Sequence, residues 1–299
     1  MRFHLIGANG QVGWELRHCL GALGEVVALG REACDLARPE RLPDVARSAR
    51  PDVIVNAAAY TAVDRAEGEE ALAVTINGTA AGILAEEARR AGALLVHYST
   101  DYVFDGSKPD PYTEEDAPCP LNAYGRSKLA GERAICEVGG DFLILRTSWV
   151  YAARCQNFVR TILRLARERE ELRIVSDQVG APTWARDIAQ GTADVVGAGM
   201  GQRREGRFAA GIFHMTASGA TNWYALAGAI LDIARGIGVL PARYAPRLHP
   251  IASEAYPLPA KRPKNSRLAT RRLTERFGVM LPDWQQALAL CIQEIASAA

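Results

Sequence analysis

Lysine is scarce in this chain of 299 residues: only four of its 35 basic residues are lysine, at positions 108, 128, 261 and 264. An excess of one charge sign is missing too, because 34 acidic residues leave a net charge of +1. That balance excludes the electrostatic footprint of a non-specific nucleic-acid binder and favours a small-molecule partner. No apolar run approaches the roughly 18 residues that a membrane-spanning helix needs, so no membrane partner is expected. The apolar stretch in "MRFHLIGANG" is too short for the core of a signal peptide, which leads to the expectation of an unexported, cytoplasmic chain. Six cysteines (Cys19, Cys34, Cys119, Cys136, Cys155 and Cys291) show no C-x-x-C spacing, which argues against a disulfide frame or a zinc site. The five histidines lack ligand spacing as well, and His97, inside an apolar run, reads as packed; no metal site is expected.

Hydrophobic residues make up 48% of the chain, enough for a sizeable core. Short aliphatic runs ("RFHLI", "EVVAL", "DVIV", "ALLVHYS", "FLILRTS") alternate with amphipathic stretches. The stretches predict helices from about Gln11, near Pro39–Ala49, from about Glu67 to Ala91, and from Asn122. Near-continuous apolar strands alternating with helices predict an α/β fold of the Rossmann type, a doubly wound parallel sheet covered on both faces. Residues 1–150 form this dinucleotide-binding unit, with later returns to the sheet near 184–217, and residues 151–299 form mainly a smaller, interleaved C-terminal substrate lobe. Ligands in such sheets bind beyond the carboxyl ends of the strands, after Ile6, Leu29, Val55, Ser99 and Thr147 here.

The segment "LIGANGQVGWEL" carries Gly7, Gly10 and Gly13 between the first strand and its helix. This G-x-x-G-x-x-G spacing permits a tight turn and close backbone approach of a pyrophosphate to a helix N-terminus. After the second strand, where an acidic residue selects NAD, the chain has Gly30 and Arg31, so Arg31 favours NADPH, with NADH possible.

In "NAYGRSKLAGE" Tyr124 and Lys128 stand four residues apart on one helix face. A compact ammonium in an arginine-dominated chain suits the stabilisation of a phenolate. The pair predicts a phenol whose pKa is lowered by about 2–3 units and which exchanges a proton with substrate. Ser99 and Thr100, ending the fourth strand in "HYSTDYVFDG", supply hydroxyls to orient a substrate oxygen.

Through "GANGQVG", "STDYVFDG" and "YGRSK" the chain resembles the extended short-chain dehydrogenases/reductases, and the likeness extends through "LRTSWVY", "DQVGAPT" and "RPKNSRL". The resemblance implies reduction of the C4 ketone of a dTDP-linked 4-keto-6-deoxyhexose. It implies Tyr124 as proton donor, Lys128 as its helper and ribose ligand, and Thr100 as ligand of the carbonyl oxygen. The cofactor would be held by Gly10, Gln11 and Val12 at the pyrophosphate, Asp35 and Leu36 at the adenine, and Ala57, Ala58, Ala59, Tyr60 and Thr61 in the middle. Thr100, Asp101, Tyr102 and Trp149 would meet the substrate, Trp149 by stacking on the sugar, with Thr61 and Val63 nearby. Lys261, Arg262, Lys264 and Arg267 are candidates for the substrate pyrophosphate. Asp101 is followed by Tyr102 where related dehydratases carry a glutamate, which argues against elimination of water. Some relatives dimerise through Mg2+ held by glutamates, one matching Glu15; with Arg186 where another ligand would lie, a metal-bridged homodimer is in doubt. Two other readings stay open: a non-catalytic dinucleotide-binding subunit resembling the regulator of methionine adenosyltransferase, and a reductase acting on another 4-keto epimer.

Overall fold

Strands that are apolar on both faces need a cover on each side, and the structure, a computed structural model, supplies it. It describes residues 1–48, 50–241, 243–244 and 246–297. β1 (Arg2–Ile6), β2 (Glu25–Leu29), β3 (Val53–Asn56), β4 (Leu94–Thr100) and β5 (Phe142–Thr147) form a parallel sheet in the order β5-β4-β3-β1-β2. The strand Gly211–His214 adds in parallel beyond β5. From β1 the chain first goes outward to β2, then returns to β3 on the other side of β1. The order therefore reverses at the carboxyl ends of β1 and β3, where the helices diverge and leave a crevice.

Alternation along each strand divides the core in two. Phe3, Leu5, Val53, Val55, Leu94, Val96, Leu143 and Leu145 pack under the helices Gln11–Gly21 and Ala185–Arg204. Ile6, Ile54, Leu95 and Ile144 face the helices Leu42–Arg47, Ala80–Ala91 and Ala123–Val138. A separate cluster holds the C-terminal lobe together: Val159, Ile162, Leu163 and Ala166 form one stripe on the helix Phe158–Glu168. They meet Leu226 and Ile230 of the helix Trp223–Gly236, and Leu288 of the helix Trp284–Ser297 completes the cluster.

Two helices differ from their sequence patterns. The expected helix near Pro39–Ala49 is a single tight turn, Pro39–Arg41, followed by Leu42–Arg47; Ala49 lies outside the described residues. The expected helix from Glu67 to Ala91 breaks into Glu70–Val74, a wide turn at Thr75–Thr79, and Ala80–Ala91. The wide turn has a tertiary cause. Asn77 accepts from the Tyr60 N–H at 2.8 Å and donates to the Tyr60 carbonyl at 3.0 Å and to Ser127 at 2.8 Å, tying the loop after β3 to the helix that carries Tyr124.

Candidate active site

The glycine loop works through what its glycines lack. Gly7 has φ +85°, and a Cβ there would lie 2.5 Å from the Ala58 nitrogen. A Cβ on Gly13 would strike the Gly7 carbonyl, so the helix can begin directly against the loop. Gly10 caps that helix without a side-chain hydrogen bond, which leaves the first-turn N–H groups facing the crevice as a ready anion site. A cleft of about 500 Å3 opens there, lined by Gly7, Gly10, Gln11 and Val12, by Arg31, Asp35 and Leu36, and by Ala57, Ala58, Ala59 and Thr61. Backbone cradle and anion site together fit a dinucleotide. Two expected cofactor ligands do not line this cleft: Gly13 packs against the Gly7 carbonyl, and the Tyr60 hydroxyl donates to Glu69 at 2.7 Å.

Tyr124 and Lys128 line the far end of this cleft, beside Ser99. Their helix, Ala123–Val138, starts at Asn122, whose side chain accepts from the Gly125 N–H at 2.8 Å and donates to the Lys261 carbonyl at 2.7 Å. Glu67 accepts from the Ala123 N–H at 2.7 Å. Gly125 lets the first turn press on the Tyr102 carbonyl, bringing the helix up to the segment after β4. There Thr100 donates to Asp101 at 2.9 Å and accepts from the Tyr102 N–H at 3.1 Å, and it lines the second cleft with Tyr124. Tyr124, Thr100, Asp101, Tyr102, Thr61 and Val63 also line a second cleft of about 410 Å3. The two clefts share Tyr124, along with Thr61, Ser99 and Thr147 among others, so they meet at this residue.

The electrostatics correct one expectation. Burial pushes the Tyr124 phenol up to about 12, opposed by its bond to Thr100 and reinforced by Asp101; Lys128 is not among the causes. Lys128 lines the same cleft as Tyr124 but is 2% exposed, and its Nζ lies 3.1 Å from His97 Nε2. Burial draws the Lys128 ammonium down to about 8 against the opposing pull of Glu132. A phenol kept neutral still suits proton donation, so the acid role survives while its supposed acidification does not. Asp101 is raised to about 7 by burial, against bonds from Ser266 and Thr100, and its Oδ2 has no partner. Under this cluster Arg146 grips Glu132 through two bonds of 2.8 and 2.6 Å, and Ser99 donates to Glu132 at 2.5 Å.

The substrate side holds further corrections. Trp149 lines the second cleft, but its ring is stacked on Trp223 at 3.6 Å and 8°, so that face cannot carry a sugar. None of Lys261, Arg262, Lys264 and Arg267 lines either cleft. Arg262 forks onto Asp64 at 2.9 and 2.7 Å, Lys264 pairs with Glu254 at 3.3 Å, and Arg267 donates to Asn265 and to the Pro109 carbonyl. Arg186 lies between Glu15 at 3.1 Å and Glu294 at 2.8 Å, so a guanidinium occupies the place by Glu15 that a cation would take. Among the described residues no group of three or more acidic, histidine or cysteine side chains is arranged to hold a metal. No helix among them is long and apolar enough to cross a membrane. Asn9, Asn56 and Trp223 carry no signal in the sequence, and His97, expected to be packed, is buried but also hydrogen-bonds Lys128 and Asn56; only the register and the packing bring them to the site.

The family model described as RmlD substrate binding domain matches residues 1–297. The chain belongs to that family. It is 54% identical to the dTDP-4-dehydrorhamnose reductase of Burkholderia thailandensis over 99% of this chain and 100% of the relative. Among solved structures in the family's range, that of the dTDP-4-dehydrorhamnose reductase of Clostridium acetobutylicum is similar at TM-score 0.88 and 34% identity, covering 99% of this chain and 100% of the other. The Bacillus anthracis dTDP-4-dehydrorhamnose reductase, solved in complex with NADP, matches at TM-score 0.86 and 33% identity over 98% of this chain and 99% of its own. Membership in the RmlD family agrees with the parallel sheet and with the glycine loop at its first strand.

Proposed function

We propose that this chain reduces the C4 ketone of dTDP-4-dehydro-β-L-rhamnose to dTDP-L-rhamnose with NADPH, a step in nucleotide-sugar synthesis for cell-surface polysaccharide. The observation that carries the reading is Tyr124, which lines the dinucleotide cleft and the second cleft at once. When bound, the reduced nicotinamide supplies the hydride. Tyr124 then donates its proton to the oxygen of the former ketone, and Thr100, on the same cleft, orients that oxygen. Lys128, on the dinucleotide cleft with Tyr124, as an ammonium stabilises the phenolate left behind, and Asp101 and Tyr102 wall the sugar side. Arg31, with Gly30 where NAD sites carry an acid, supports NADPH over NADH. The Arg186 bridge supports a chain that needs no magnesium at Glu15.

The test is loss of NADPH absorbance on adding the keto sugar nucleotide to purified protein, followed by NMR of the product. An L-rhamno product is expected. The other C4 epimer would reassign the substrate, and bound NADPH with no turnover would favour the regulatory reading.

A further inference from the structure

Asn56, His97 and Lys128 form a buried chain of side chains behind the dinucleotide cleft, exposed by 1%, 1% and 2%. Asn56 ends β3, and His97 is its register partner on β4. The Asn56 Oδ1 accepts from the Ala58 N–H at 3.2 Å, so its Nδ2 is the atom 3.1 Å from His97 Nδ1. A neutral imidazole has one N–H and one acceptor nitrogen. With Nδ1 accepting from Asn56, the ring proton must sit on Nε2, aimed at Lys128 Nζ 3.1 Å away. That N–H can be received only by an unprotonated amine. An ammonium at Lys128 would instead donate to Nε2 and force the proton to Nδ1, against the Asn56 amide hydrogens. Reversing the amide would relieve this only by turning NH2 toward the Ala58 N–H.

We propose that Asn56 and His97 form a tautomer lock that biases Lys128 toward its amine form, making His97 a positioning residue that sets the alkaline limit of catalysis. The proposal rests on the reductase reading, because it is the Lys128 ammonium that supports the Tyr124 phenolate. The other groups facing Lys128 are Glu132 and Tyr124 on its own helix and Ser99 on β4; Arg146 on β5 is engaged by Glu132. Burial of Lys128 acts in the same direction as the lock, and Glu132 opposes both.

Two measurements decide it. The first needs no turnover: long-range proton–nitrogen NMR of the histidine-labelled protein above the Lys128 titration. The expected result is a His97 ring protonated at Nε2 in the wild type and at Nδ1 in Asn56→Asp. That variant keeps an oxygen for Ala58 but presents an acceptor to the ring. A wild-type ring protonated at Nδ1 overturns the lock, whether or not the protein turns over. The second is the pH profile of kcat. Asn56→Asp is expected to raise the alkaline limb by about one pH unit, a tenfold change in proton affinity. His97→Gln, which keeps a polar partner for Lys128 but has no tautomer, is expected to raise it by about half a unit with kcat within about tenfold. If His97 only packs, His97→Gln lowers thermal stability and leaves the limb in place, and the proposal fails. A wild type that never turns over would refute the reductase reading while leaving the NMR result to judge the lock.

Discussion

Replacing Tyr124 by Phe removes one oxygen from the point where the two clefts meet and leaves the rest of the ring in place. The ring sits edge-on to Tyr102, with centroids 5.8 Å apart at 75°, and packs by Ala66, Ala73 and Ala123, so the apolar contacts persist. Loss of the hydroxyl costs at most about 1 kcal/mol of stability, partly offset because Phe avoids burying a polar atom. The chemical loss is larger. A positioned acid contributes about 10²–10⁴-fold, or roughly 3–5 kcal/mol of transition-state stabilisation. Tyr124→Phe should therefore lower kcat by two to four decades while NADPH titration, followed by fluorescence quenching, changes little. Since the phenol holds its proton up to about 12, the wild-type kcat should show no alkaline fall from Tyr124 itself near neutrality. Any alkaline limb starting near 8 belongs to Lys128. A Tyr124→Phe enzyme within tenfold of wild type in single-turnover assays would show that the proton comes from elsewhere, with Asp101 the next group to test.

Lys128→Met should abolish turnover yet leave the fold at least as stable at pH 7. The folded-state pKa of about 8 lies below the unfolded value, so the unfolded chain binds the proton more tightly. This group thus destabilises the fold by roughly 3 kcal/mol below pH 8, a cost that disappears as pH rises from about 8 to about 10.5. Stranding His97 Nε2 costs about 1–3 kcal/mol in return, so thermal melts at pH 7 should show an unchanged or raised Tm; a drop of ten degrees would contradict the accounting. Glu132→Leu should destabilise by about 3–5 kcal/mol in urea titrations, because the buried Arg146 loses its only carboxylate partner among the described residues. Arg31→Ala should raise KM for NADPH about tenfold or more with little effect on NADH, and this selectivity should shrink at high salt; equal effects on both cofactors would remove Arg31 from the 2′-phosphate.

Local patterns carried much of this protein without help from the fold. The aliphatic runs marked the strands β1 to β5 because a sheet covered on both faces favours apolar residues along most of each strand, and Gly7 and Gly13 marked the loop because no side chain fits at either. The four-residue spacing put Tyr124 and Lys128 on one face for the same local reason. Sequence could not supply register or burial. Whether the Lys128 ammonium addresses Tyr124 or His97 depends on which residue of β4 lies behind the helix, and that follows from strand pairing across β3 and β4. The sign of the phenol's pKa shift likewise depends on desolvation, a property of the assembled core. Trp149 was expected to stack on a sugar, and only the fold shows that one face of its ring is taken by Trp223, 74 residues later in the chain. Spacing along a helix is fixed by the backbone, but what a buried group faces is fixed by elements far away in the chain, and chemistry depends on both.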